Sequence, residues 1–311
     1  MLARVAESLY WIGRNIERCE HCCRYMQVQY FSTLEAPMSQ NKDFTLRSIL
    51  FMSGGNFQLH GSLEENLVWQ KVIFDSYNPN SLFSLVKNVR ENARSIRNTI
   101  SEEFWESINK WYLDYNKLNQ QQFSSEKIFE FSKQMELGIV FIKSRLHHTF
   151  LHDDTWGFIW LGIYLERALQ ILRIIRSKIS DSTILSNNGE NQALLQYQWT
   201  TLLMCLEAFG IHKKEYKGTR SKQSILELLL TNPIFPRSFY YTTAKIRRHL
   251  EGISVLPLAH QVLKDKFQKI HQEELAFDVD LEESEIISRL DSAYNCLATF
   301  HFEIEQLYFQ H

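Results

Sequence analysis

Near the start of the chain, apolar residues recur at alternating spacings of four and three: Val5, Leu9, Ile12, Ile16, Cys19, Cys23, Met26 and Tyr30. The rhythm returns at Phe158, Leu161, Leu165, Ala168, Leu172, Ile175 and Ile179, which is the first set from Leu9 onward moved by 149. A 3.6-residue period places such positions on one face, so both stretches predict amphipathic helices with a packed apolar seam. Asp153, Asp154 and Thr155 offer N-cap chemistry for the second helix. Further helices are expected over 81–99, 101–118 and 125–150, the last beginning after Ser124-Ser125. A C-terminal helix is expected through Ile286, Leu290, Ala293, Leu297, Phe300, Ile304 and Leu307. The polar stretch 181–191 reads as a loop. No run of alternating residues argues for a strand, so the fold class is all-α, a helical bundle.

The two seam helices carry the same phrase. WIGRNIER occupies 11–18 and WLGIYLER occupies 160–167, both fitting W-[IL]-G-x-x-[IL]-E-R. A second echo follows: Asn78-Pro79 precedes SLFSLVKNVRENARSI, and Asn232-Pro233 precedes SFYYTTAKIRRHLEGI. These repeats predict one domain, 1–311, built from two pseudo-repeated halves, 1–150 and 151–311, each opening with a W-x-G-x-x-x-E-R helix.

Composition narrows the class without changing the fold. With 44% hydrophobic residues the chain is globular, and 11 glycines and 5 prolines suit long helices. A formal net charge of -2 argues against a general nucleic-acid binder. Five cysteines, three of them in 19–23, do not make a secreted disulfide framework. Arg4, Glu7, Arg14, Glu17 and Arg18 interrupt any signal-peptide core, and the uncharged run from Thr155 to Leu165 falls short of the roughly 20 residues a bilayer needs. The expectation is a cytoplasmic protein with no membrane span.

The phrase carries the candidate chemistry. Around a helix, Trp11, Arg14, Arg18, His21 and Tyr25 lie opposite the Ile16 seam, as a docking or substrate-lining face. A glycine inside a helix costs roughly 1 kcal/mol against alanine, so Gly13 and Gly162 predict close backbone approach by another helix or a ligand. Adjacent Glu and Arg do not face each other on a helix, so Glu17-Arg18 and Glu166-Arg167 must find partners on other elements. Two readings stand side by side. The pairs lock the halves together, or Glu17 and Glu166 act as paired carboxylates in a cleft, where mutual repulsion raises one pKa for acid–base work.

MLARVAESLYWIGRNIER, WLGIYLER and VRENARSIRNTISEEFWESIN closely resemble the bacterial alpha-E family, all-helical proteins named for a recurring E-R motif. The resemblance extends into PRSFYYTTAKIRRHL and thins after about residue 260. It carries over Glu17, Arg18, Glu166 and Arg167. It implies partnership with a circularly permuted ATP-grasp protein and with a transglutaminase-like protein, in an ATP-dependent peptide ligation or modification system.

Other constellations are weaker. Lys87, Arg90, Arg94 and Arg97 form a basic stripe suited to an anion or an acidic partner. No aromatic residue interleaves with it in sequence, which argues against nucleic acid. In CEHCC, Cys19 and Cys23 are seam positions, and a closed zinc site needs four converging ligands, so no metal is expected. In RLHHTFLHDD, His148 and His152 sit where a helix should end and complement its dipole. No G-x-G-x-x-G and no G-x-x-x-x-G-K-[ST] occurs, so no nucleotide cofactor is expected on this chain. The sequence therefore points to a helical partner or substrate-positioning component of a ligation system. The alternative is a self-contained enzyme.

Overall fold

The computed structural model describes residues 1–35, 42–54, 63–117, 125–187, 192–218, 220–254, 257–273, 275–279 and 281–309. Gly55, Ser124, the side chain of Tyr30, residue 118 and the expected loop residues 188–191 lie outside the described set. The chain forms α1 (Ala3–Glu35), α2 (Lys42–Met52), α3 (Glu65–Trp69), α4 (Leu82–Ser95), α5 (Glu102–Lys117), α6 (Ser125–Thr149) and α7 (Asp154–Asn187). It continues with α8 (Gln192–Cys205), α9 (Phe209–Glu215), α10 (Lys222–Leu226), α11 (Phe239–Gly252), α12 (Pro257–Glu273) and α13 (Glu283–Tyr308). Among the described residues there is no strand, and the fold is all-α as the periodicity requires. No described helix is long and apolar enough to cross a membrane.

The chain divides into two compact units, one of Met1–Arg14 with Leu151–His311 and one of Asn15–Phe150. In the first, α7 packs along α8, α11 and α13, and its seam from Phe158 to Ile179 is buried throughout. Asp153 caps α7 by accepting from the Thr155 amide at 2.9 Å, while Asp154 reaches back to the Ser254 amide at 2.8 Å. In the second, α5 packs on α4 and α6 around Val86, Val89, Phe104, Ile108, Ile139 and Ile142.

Three expectations change. The stretch 181–187 is helix rather than loop, because α7 continues to Asn187. Lys178 donates to Asp181 at 2.9 Å, Thr183 bonds Glu283 at 2.9 Å and Leu185 is buried, so tertiary contacts override a loop-like composition. The one-sided seam of α1 is also too narrow, since from Leu9 to Cys23 its side chains are buried nearly all round, charged ones included.

The two Asn-Pro pairs are not equivalent places either. What recurs is a short helix running into a π-helical turn, Gln70–Phe74 after α3 and Glu227–Thr231 after α10, 157 residues apart. An acceptor side chain follows each turn. Asp75 takes the Tyr77 amide and Asn232 takes the Ile234 amide. A serine then caps the next helix: Ser81 accepts from the Ser84 amide and Ser238 from the Tyr241 amide. Asp and Asn serve equally as acceptors, so Asp75 stands at the place of Asn232, while both Asn-Pro pairs still precede a helix, α4 and α11.

Candidate functional site

Gly13 and Gly162 mark where α1 crosses α7. A Cβ on Gly13 would stand 2.0 Å from the Ile159 carbonyl oxygen, and one on Gly162 would stand 2.2 Å from that of Tyr10. The approach is reciprocal: each glycine faces the carbonyl of the residue three before its counterpart and the amide of the residue after it, Ile163 in one case and Arg14 in the other. This is the close backbone approach that the repeated glycine foretold.

The crossing delivers Arg14 to Glu166. Arg14 Nε donates to Glu166 Oε2 at 2.6 Å, with both side chains all but sealed. Glu166 Oε1 also accepts from Gln170 at 2.7 Å. Arg14 Nη1 donates to Tyr10 Oη at 3.1 Å, and Tyr10 Oη lies 2.8 Å from His301 Nδ1 on α13. Burial works against the Arg14 charge, but Tyr10 and Glu166 outweigh it and hold the guanidinium above its ordinary pKa. Burial pushes the Tyr10 phenol up to about 12, with Arg14 opposing. Trp11 lies under the Arg14 guanidinium, 5.3 Å from its ring centroid, and meets His301 edge-on at 5.4 Å. His301 Nε2 in turn stands 3.6 Å from Glu305 Oε1. Burial raises the Glu305 carboxyl above its usual range; Arg14 opposes this and Glu7 adds to it.

Glu17, the carboxylate of the first phrase, belongs to a different cluster. Lys143 on α6 donates to Glu17 Oε2 at 2.5 Å and also to Glu20. His21 Nε2 stands 3.4 Å from Glu17 Oε1. One turn on, Arg24 and Gln27 both bond Glu136. Arg18 donates to Asn80 Oδ1 at 2.8 Å, and Asn80 bonds the Gly54 carbonyl at 3.0 Å. Tyr25 is buried, with its ring 6.1 Å from His21. Of the expected docking or substrate-lining face, Arg14, His21 and Tyr25 are 4%, 1% and 2% exposed and form no open docking surface, because α1 is covered on its polar side as well, while Trp11 and Arg18 are half-buried.

Arg167, in the second phrase, lies over the Tyr164 ring at 5.2 Å. Trp160 stacks with Tyr164 and with His249 of α11. The basic stripe, with Lys87, Arg90 and Arg94 on α4 and Arg97 in the turn after it, is not the bare row its sequence suggests. Arg90 packs over Tyr112 at 4.6 Å and Arg97 over Trp105 at 5.4 Å, both rings supplied by α5. Arg94 pairs with Glu91 at 3.0 Å. Aromatic residues do adjoin the stripe, which corrects the sequence expectation; they come from the neighbouring helix. The thiols of Cys22 and Cys23 are buried, and burial pushes Cys22 up to about 12.

Sequence reasoning missed Lys143, Glu20, Tyr10, His301 and Glu305. A signal existed for two of them. Lys143 adjoins the buried row Ile139, Ile142 and Leu146, and His301 adjoins Leu297, Phe300 and Ile304. A titratable residue flanking an apolar row is a candidate for a buried polar contact.

The chain is similar to uncharacterised proteins of Mycobacterium bovis and of two strains of Mycobacterium tuberculosis, each 22% identical over 270 residues. The match takes in 80% of this chain and spans only 30% of the length of those relatives. No solved structure gives a significant match. A family model described as a predicted alpha-helical domain with a conserved ER motif matches residues 1–309. The glycine crossing and the buried partners of Glu17 and Glu166 give that motif its physical content, and the chain belongs to the Alpha-E family.

Proposed function

We propose that this chain is a helical, substrate-positioning component of an ATP-dependent peptide ligation or modification system, working with a circularly permuted ATP-grasp protein and a transglutaminase-like protein. The resemblance of its E-R helices to the alpha-E family motivates the reading. Two further facts support it. The curated relatives are more than three times as long as the matched region, so there this domain is one part of a larger chain. This sequence also holds no phosphate-binding glycine fingerprint, so nucleotide chemistry would fall to a partner.

The observation that carries the positioning role is the Arg14–Glu166 pair. A buried ion pair adds little net stability, yet this one is ordered by two glycines, Tyr10 and Gln170. Such investment suits a site whose geometry is fixed before its ligand arrives. The test is affinity capture of the tagged chain from its native cell, with and without ATP, read by mass spectrometry. Recovery of an ATP-grasp protein is expected. Capture that never yields one, from folded protein, refutes the partnership.

The second reading, a self-contained enzyme, expected Glu17 and Glu166 as its paired carboxylates, but these bond Lys143 and Arg14 respectively, so it draws instead on Glu17 and Glu20, which share the Lys143 ammonium. It predicts that Glu17→Gln abolishes turnover at unchanged melting temperature. A Glu17→Gln protein that melts early assigns the pair to structure.

A further inference from the structure

Arg14 has five N–H donors. Nε is taken by Glu166 and one Nη1 hydrogen by Tyr10. Among the described residues nothing accepts from Nη2 or from the second Nη1 hydrogen, although the side chain is only 4% exposed. Arg14 Nη2 is not among the sealed polar atoms that lack a partner, so the little exposure this side chain has lies along this edge, which is planar and spaced to take two oxygens of one carboxylate. Around it stand Trp11, His301 and Glu305, all half-buried and so in reach of a solute. Glu305 accepts no short hydrogen bond from a protein donor among the described residues; its recorded neighbour is His301 Nε2 at 3.6 Å.

We infer that the cluster of Arg14, Trp11, His301 and Glu305 binds a small zwitterion, an amino acid or short peptide with both ends free. Its carboxylate lies on the unused Arg14 edge and its ammonium on Glu305. The charge inventory selects this class. Arg14 is the one permanent cation of the cluster, against Glu166, Glu305 and the nearby Glu7. A phosphate dianion meets net repulsion there, and a neutral solute uses neither charged group. A zwitterion satisfies both. The assignment deepens the positioning role proposed above and rests on it for the meaning of the peptide, whereas the site is tested on the isolated full chain.

The experiment titrates the chain with L-alanyl-L-alanine, its N-acetyl form, its C-terminal amide and inorganic phosphate, by calorimetry and saturation-transfer NMR. Saturable binding of the free dipeptide is expected, with each blocked form at least about tenfold weaker and phosphate unable to compete. Arg14→Lys removes the bidentate edge, but its buried position endangers the fold, so Glu305→Gln is the deciding variant. It sits at the half-buried rim, and it should weaken the free dipeptide while leaving residual binding of the N-acetyl form unchanged. Absence of saturable dipeptide binding, equal binding of the blocked forms, competition by phosphate, or a Glu305→Gln protein indistinguishable from wild type each overturns the assignment. Partner capture reads separately: an ATP-grasp protein still captured when the dipeptide fails rejects the site alone. Dipeptide binding without capture rejects the partnership alone.

Discussion

Replacing Gly13 by alanine sets two effects of opposite sign against each other. Helix propensity favours the change by roughly 1 kcal/mol. Sterics oppose it, because the new methyl would stand 2.0 Å from the Ile159 carbonyl oxygen and 3.0 Å from the Ile163 amide nitrogen. Ordinary contact needs about 3.5 Å, so α1 and α7 must separate by more than about 1 Å. Both obstacles are backbone, and no rotamer change relieves them. A gap of that size forfeits about half the dispersion energy of the side chains along the crossing, which include Leu9, Ile12, Phe158 and Leu161, all fully buried. The steric cost is about 3 kcal/mol or more, leaving a net loss of about 2 kcal/mol or more against the propensity gain. Urea and thermal denaturation followed by circular dichroism measure it, with Gly210→Ala as control, since nothing lies within 4 Å of a Cβ there. Gly162→Ala should behave like Gly13→Ala, and the double variant should cost less than the sum, because one separation of the helices relieves both clashes. A Gly13→Ala protein as stable as wild type refutes the close crossing and the explanation of the phrase built on it.

Three other outcomes follow from the buried polar groups. Burial, then Lys245, Arg248 and His152, lower the His249 imidazole to about 4. The unfolded chain, with an ordinary histidine pKa near 6.5, takes up that proton first as pH falls. The stabilisation is complete above about pH 6.5 and is lost down to about pH 4, a fall of about 3 kcal/mol that His249→Phe should abolish in pH-dependent melting. Lys143→Met removes the ammonium that two buried carboxylates, Glu17 and Glu20, share. It should cost about 3–5 kcal/mol in chemical denaturation, with Glu17→Gln added to it restoring part of the loss. Alkylation of the native protein with a maleimide, mapped by mass spectrometry, should label Cys296 first and leave Cys22 and Cys23 until unfolding, because only Cys296 is partly exposed. Early labelling at Cys22 contradicts the packing of α1.

The parts legible in the sequence were those that one helix can announce by itself. The seam of α7 was read correctly from Phe158 to Ile179, as was the Asp153 cap, because periodicity and capping are local. Gly13 and Gly162 announced a crossing, since a mid-helix glycine is costly without one. Partner identity was not legible. Glu166 meets Arg14 from 152 residues away and Tyr10 meets His301 from 291, and no local pattern encodes such pairings. Arg90 and Arg97 looked bare because their aromatic neighbours, Tyr112 and Trp105, sit on the next helix. Residues 181–187 looked like loop because Ser, Asp and Thr were weighed by propensity, whereas in the structure the side chains of Asp181 and Thr183 have partners.

α1 contributes its residues through Arg14 to one compact unit and those from Asn15 to the other. This imposes an order of events during translation. Domains assemble as the ribosome releases them, so the unit 15–150 can be complete while the first fourteen residues still lack what they pack against. Arg14 must wait for Glu166 to emerge, and Tyr10 for His301. For that interval the Arg14 cation and the Tyr10 phenol, both destined for burial, stand unsheltered on the nascent polypeptide. A ribosome stalled before α13 would leave them so, and that truncated product is where a chaperone would find its client.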